Sequence, residues 1–397
     1  VYEFNNVPDQ MKQALLDFVR DLVRIPSQNP PGDCYPACAE RIRAELTRLG
    51  FPSQLVEAPG FGDRPRVNLL AFHGEGERTL YFHGHYDVVP AQRPAQFAPR
   101  LAAGWLHGRG TADMKAGLAC MLYAASLLKE SAMPLTGRLG LCFVADEETG
   151  GRGGSRYLDE IGLLGRDAIG MLTPEPTSGV VWNANRGALT LRVTVRGKPA
   201  HVGLQHQGIN AFERMLRAAG ALQALKAEVE RRRTGYRIAP ESAAYSILML
   251  GGEVAGGTNF NVVPDRCSFT LERRFNPEEE LAAEKARLSE LFDALRAEGI
   301  ELEVESLQEG NSSGTPDDHP VARTLAESVR EVTGAPPAFE MCPGLLETRW
   351  YARQGVPAFA YGPGLLELSH GPDEAVEVER IFQHTLIYAR TAARLLA

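Results

Sequence analysis

Apolar residues recur every three or four positions over 11–23 (MKQALLDFVRDLV), setting Leu15, Leu16, Val19, Leu22 and Val23 on one stripe. This spacing predicts an opening helix. It stops before Pro26-Ser27, and Asn29-Pro30-Pro31-Gly32 reads as a loop. A second helix is expected over 36–49, closed by Gly50. The period then changes. Continuous apolar runs at 78–83, 138–144, 168–172 and 358–361 read as buried strands. A stripe of Leu118, Met121, Leu122, Ala125 and Leu128 marks a helix over 114–129. Strands alternating with helices imply an α/β domain with a mostly parallel sheet covered by helices on both faces.

The stretch 183–307 has another texture. It reads as a strand (189–195), a helix (210–224), strands at 245–250 and 266–274, a helix (277–297) and a last strand (300–306). That β-α-β-β-α-β order is the pattern of ferredoxin-like α+β domains. The expectation is one discontinuous catalytic domain, 1–182 with 308–397, interrupted by a smaller insert at 183–307.

Composition narrows the partners. A chain of 397 residues has room for two domains, and a formal charge of −8 argues against a nucleic-acid partner. No apolar run is long enough to span a membrane. Val1-Tyr2-Glu3-Phe4 lacks the layout of a signal peptide, although the missing initiator Met leaves room for an already removed segment. The six cysteines form no CxxC pair, and Cys120 and Cys142 sit in apolar runs. Buried thiols of this kind suit a reducing, cytoplasmic compartment.

Candidate chemistry gathers at the exits of the expected strands. His85 and Asp87 follow one, Glu147 and Glu148 a second, Glu175 a third, and His370 the last. Ligands of parallel α/β sheets bind at this edge. Taken singly, each has a plain structural reading, and Asp113 suits a helix cap. Within Asp146-Glu147-Glu148, one acid could bind metal while a neighbour takes a proton from water; spacing does not say which pair acts. The charge of two divalent cations would be balanced by three carboxylates and one hydroxide. Mixed His and carboxylate ligation leaves positions open for water and substrate. Gly150–Ser155 lacks the spacing of a phosphate loop, and no serine sits in a nucleophile elbow.

Together HGHYDVVPA (83–91), GRGTADMKAG (108–117), DEETGG (146–151), TPEP (173–176), GKPAHVG (197–203), NVVP (261–264) and SHGPDE (369–374) resemble a known family. It is the zinc-dependent group of acetylornithine deacetylase, succinyl-diaminopimelate desuccinylase, aminoacylase and bacterial glutamate carboxypeptidase. The resemblance implies two zinc ions, with Co or Mn as substitutes. His85, Asp113 and Glu175 would hold one, and Glu148, Asp113 and His370 the other, with Asp113 bridging. It implies Glu147 as general base, Asp87 as the residue orienting His85, and His201 as an oxyanion-stabilising histidine shared across a homodimer. Asn261 and Arg274 match substrate contacts, with the adjacent Arg273 an alternative for the carboxylate. One departure stands out: Leu345-Leu346-Glu347-Thr348-Arg349 replaces the Thr/Ser-Asp pair that often precedes an Arg there.

The activity implied is hydrolysis of an N-acyl amino acid by metal-activated water. A dipeptidase or carboxypeptidase would use the same site on a short peptide, and a non-catalytic binding protein could keep the same fold.

Overall fold

In the computed structural model, which describes residues 4–397, the apolar runs form the middle of one sheet. Its strands lie in the order Ser53–Ala58, Arg66–His73, Arg138–Val144, Thr79–His85, Ala168–Thr173 and Ala358–Ala360. The last four run parallel, and antiparallel strands extend the sheet at both sides. Alternation along the strands divides their side chains between two cores. Leu80, Phe82, Leu139, Leu141, Leu172 and Phe359 face one; Tyr81, Cys142, Val144, Met171 and Ala358 face the other. Helices Asp9–Arg24, Tyr35–Arg48, Lys115–Glu130, Pro320–Thr333 and Val378–Leu396 close the first core. The short helices Ser155–Glu160 and Thr348–Ala352 close the second. The expected α/β class, with helices on both faces, is the one adopted.

The chain divides into two compact units. The larger comprises residues up to Asn183, Thr315–Glu340 and Glu347–Ala397; the smaller comprises Ala184–Gly314 and Met341–Leu346. The smaller unit therefore holds 308–314 and a returning segment that lie outside the stretch 183–307. The return is tied in by the Met341 amide, which donates to the Arg237 carbonyl (2.6 Å).

Within the smaller unit the strands Gly187–Arg196, Ile247–Gly256, Arg266–Phe275 and Leu302–Gly310 are all antiparallel. Their spatial order is fourth, first, third, second, the ferredoxin-like arrangement. Helices Ala211–Val229 and Leu281–Ala297 share one core against the sheet. The second strand runs past residue 250 because Gly251, at φ 77°, allows a bulge between Leu250 and Val254. The second helix starts at Leu281 because Pro277 sits within a turn ahead of it, in which the Asn276 amide donates to Glu279 (2.9 Å).

All six cysteines are free, five of them buried and Cys34 exposed. Among the described residues no helix is long and apolar enough to cross a membrane.

Candidate metal centre

Register sets the location. In the parallel ladder His85 pairs with Val144, and Thr173 pairs with Ala360. The chain thus leaves these strands at one edge, where His85, Asp87, Glu147, Glu148 and Glu175 follow within a few residues.

Asp113 arrives from another direction. Its sequence position suits a helix cap, but the helix begins at Lys115 and no side chain caps it. The carboxylate lies between two imidazoles instead. Oδ1 is 3.2 Å from His85 Nε2, and Oδ2 is 3.2 Å from His370 Nε2. The turn that presents it is wrapped around Glu374, whose Oε1 accepts the amides of Gly110 (2.9 Å), Ala112 (2.9 Å) and Asp113 (3.1 Å). The other oxygen of Glu374 pairs with buried Arg109. Lys115, fully buried, donates to the Leu22 and Ile25 carbonyls (2.8 Å each), fastening this helix to the end of the first.

The acid turn resolves into separate duties. Asp146 is engaged by Arg66 Nε (3.1 Å) and the Gly153 amide (3.0 Å). Glu148 accepts the Val89 amide through Oε1 (3.2 Å) and brings Oε2 within 3.6 Å of His370 Nε2. Beneath them Asp87 is a hub: Oδ1 accepts the Glu147 amide (3.2 Å), and Oδ2 accepts the Glu148 amide (3.1 Å) and Asn29 Nδ2 (2.8 Å). Its own carbonyl lies 3.0 Å from His85 Nδ1, nearer than its carboxylate at 3.5 Å. A proton on Nδ1 leaves the Nε2 lone pair facing Asp113, the tautomer a metal requires.

Charge in this pocket is unbalanced without cations. Donor atoms of His85, Asp113 and Glu148 all lie within 4.8 Å of one another. Burial, reinforced by the Glu347 and Glu148 charges, pushes the Glu147 carboxyl up to about 8. Burial likewise drives Glu175 well above the carboxylate range, with Asp113, Glu147 and Glu148 adding to it. Asp113 and Glu148 in turn raise His370 to about 10. Carboxylates crowded together beside two imidazoles, His85 buried and His370 half exposed, form a candidate site for cations. Each oxygen of Asp113 faces a different imidazole, an arrangement that would suit two divalent ions.

Several residues that build the site were not singled out from the sequence: Asn29, Arg66, Glu374, Arg109 and His83. The family departure also acquires a structural account. Glu347 is fully buried and meets His83 Nε2 (3.0 Å), Trp350 Nε1 (3.2 Å) and the Ser155 hydroxyl. His83 lies two residues before His85 on the same strand, so alternation was the available signal.

In the smaller unit, His201 pairs across an isolated bridge with Val262, and the Val202 amide donates to the Asn261 carbonyl (2.9 Å), which brings His201 and Asn261 together. Arg274 and Arg273 point to opposite sides of their strand. Arg273 is fully buried, paired with Glu284 (2.7 Å) and Glu279; Arg274 is part-exposed beside Glu272.

A parallel-sheet edge carrying two imidazoles and a group of buried carboxylates, in a chain with a ferredoxin-like second unit, defines the class of metal-dependent amide hydrolases. The profile of Peptidase family M20/M25/M40 matches residues 81–394, and the chain belongs to that family. It is 29% identical over 392 residues to succinyl-diaminopimelate desuccinylase of Methylobacterium radiotolerans, covering 95% of each chain. Its fold is similar to an M20 family metallo-carboxypeptidase from Sulfolobus solfataricus (TM-score 0.78, 16% identity, 96% and 98% of the two chains). It is also similar to a dinuclear metal-binding peptidase of that family from Bacillus subtilis (TM-score 0.67, 16% identity, 98% and 99% covered).

Proposed function

We propose that this enzyme hydrolyses the amide bond of an N-acyl amino acid, of the deacetylase or desuccinylase type. Glu147 is its general base, and two zinc ions are its cofactors. His85, Asp113 and Glu175 hold one ion; Glu148, Asp113 and His370 hold the other. When bound, such a pair polarises the scissile carbonyl and makes water acidic enough to attack at neutral pH.

The observation that carries this reading is the state of Glu147. Of the three acids in its turn, Asp146 is taken by Arg66 and Glu148 faces His370. The Glu147 carboxylate makes no hydrogen bond to the described residues, and its amide is fixed by Asp87. A part-buried carboxylate with no such partner and a raised pKa suits proton transfer. Glu147 takes the proton of the attacking water and returns it to the leaving amine. Glu147→Gln should abolish turnover with metal content unchanged, as read by metal analysis beside an activity assay; retained activity would refute the role.

His201 serves as oxyanion donor. Its Nδ1 accepts the Gly203 amide (3.1 Å), so the ring proton sits on Nε2, facing away from that loop. His201→Ala should lower kcat about 10²–10³-fold, the usual effect of losing one such donor, with zinc retained. An unchanged kcat would remove it from the mechanism. Arg274, whose neighbour Arg273 is committed to two glutamates, and Asn261 would hold the substrate, with Arg274 gripping a carboxylate.

The deacylase reading draws on the desuccinylase relative, which matches over nearly the full chain. A panel of N-acetyl and N-succinyl amino acids and dipeptides, compared by kcat/KM, tests it; preference for dipeptides would move the assignment to peptidase. A homodimer through the smaller unit completes the proposal. It is supported by the edge strand Ile247–Gly256 and by Phe212 and Leu216, 47% and 54% exposed on the helix Ala211–Val229. Sedimentation at low concentration would show a single-chain mass if this is wrong.

A further inference from the structure

His370 differs from the other candidate ligands in how it is held. Its side chain is 52% exposed, against 1% for His85, 12% for Asp113 and 7% for Glu148. It lies in a loop, at φ 62°, with no strand or helix fixing it. Such a ligand binds metal well only if something else orders its backbone.

That order comes from a turn far away in sequence. Gln92 Nε2 donates to the His370 carbonyl (2.9 Å), and Gln96 Nε2 to the Gly371 carbonyl (3.0 Å). Arg93 donates to the Pro372 carbonyl (3.1 Å) and to Asp373 (2.6 Å). Gln96 is buried and fully used. Its Oε1 accepts the amides of Gln92 (2.8 Å) and Arg93 (3.3 Å), and its carbonyl accepts the Arg109 amide (2.8 Å). Gln92 Oε1 in turn accepts from Arg109, which also reaches the His370 carbonyl (3.1 Å). Three consecutive carbonyls of the His370 loop are thus held by side chains from one short turn. The side chains of Gln92 and Gln96 make no hydrogen bond to His85, Asp113, Glu148 or Glu175 among the described residues.

We infer that Gln92 and Gln96 are positioning residues for His370, and that they set the affinity of one metal of the pair without setting the other. The inference rests on the two-zinc reading above. It predicts a graded, one-sided defect, because His85 is oriented separately, by its strand and Asp87. The Asp113 turn is held by Glu374, which keeps its own pairing with Arg109 when the Gln92 contact is lost.

The test is a titration of chelator-stripped enzyme with zinc, in the wild type, Gln92→Ala, Gln96→Leu and the double variant, with His370→Ala as the reference for a lost step. The wild type should bind two equivalents. The double variant should bind the first as the wild type does and the second about 10–100-fold more weakly, the usual effect of removing a partner behind a ligand. Wild-type affinity for both equivalents, or equal weakening of both, would overturn the inference. The equal case separates positioning from a general loss of structure. Gln92 lies at the surface, so Gln92→Ala alone carries the test if the buried substitution prevents folding. A wild type that binds one equivalent would refute the two-zinc reading itself, before any variant is compared.

Discussion

Asp87 gathers three donors on two oxygens, and one of them comes from Asn29, 58 residues earlier. The same Nδ2 lies 3.0 Å from Thr149 Oγ1, so the Asn29 side chain joins an N-terminal loop to the acid turn. Asn29→Ala leaves Asp87 short of a donor in a buried setting, at a cost of about 1–3 kcal/mol. Urea unfolding should read that loss, and zinc affinity should fall with it because Asp87 carries the amides of Glu147 and Glu148. Asn29→Asp should be worse, placing a second carboxylate against Asp87. From the sequence, Asn29 reads as loop punctuation ahead of two prolines. Its use is invisible there because the partner is set by tertiary register. Asp113 shows the converse: local preference suits a cap, and a carboxylate between two imidazoles overrides it. Local preferences were legible in the sequence, whereas the partner that a distant element brings to Asn29 was not.

The turn that presents Asp113 works as one element with the loop of His370. The small sheet pairing Trp105–His107 with Ala375–Glu377 brings the two segments side by side, and Glu374 then binds three amides of the turn while facing Arg109. Glu374→Ala removes the shared acceptor and leaves a buried guanidinium without its carboxylate. Breaking such a pair costs about 3–5 kcal/mol. Because Asp113 faces both histidines, binding of both metals should weaken together, unlike the one-sided effect expected at Gln92 and Gln96. Glu374→Gln, which keeps an acceptor oxygen, should recover part of the stability. A Gln variant as damaged as Ala would mean the charge on Arg109, and not the three amides, governs this turn. The strands were readable from their apolar runs and the ferredoxin-like order from its alternating periods. This three-residue pairing carries no such pattern, so the sequence offered candidate ligands but not the element that aims Asp113.

At the scale of the whole molecule, two units with separate cores and one cluster of titrating groups make a thermal prediction. The helices and strands of each unit close on their own apolar clusters, while the proposed metal ligands all belong to the larger unit. Without metal, the raised Glu147 and Glu175 carboxyls favour the folded state while protonated. That contribution is fully present below the ordinary carboxyl value of 4.5 and is lost as pH rises through about 8 for Glu147. His370, raised to about 10, has the same sign and loses its contribution as pH climbs through that value. Chelated protein should therefore lose stability in the larger unit as pH rises from 4.5 through about 8 for Glu147, and on through about 10 for His370. Bound cations offset the carboxylate charge, so the loaded enzyme should show a flatter profile there. Each site occupied at a thousandfold excess over its Kd adds about 4 kcal/mol, worth roughly 2–4 °C per kcal/mol for a unit of this size. Calorimetry with and without chelator should show one transition moving with metal and pH, and one that ignores both. A single transition that shifts as a whole would mean that the two units unfold as one. If neither shifts, the buried acids are not a metal site.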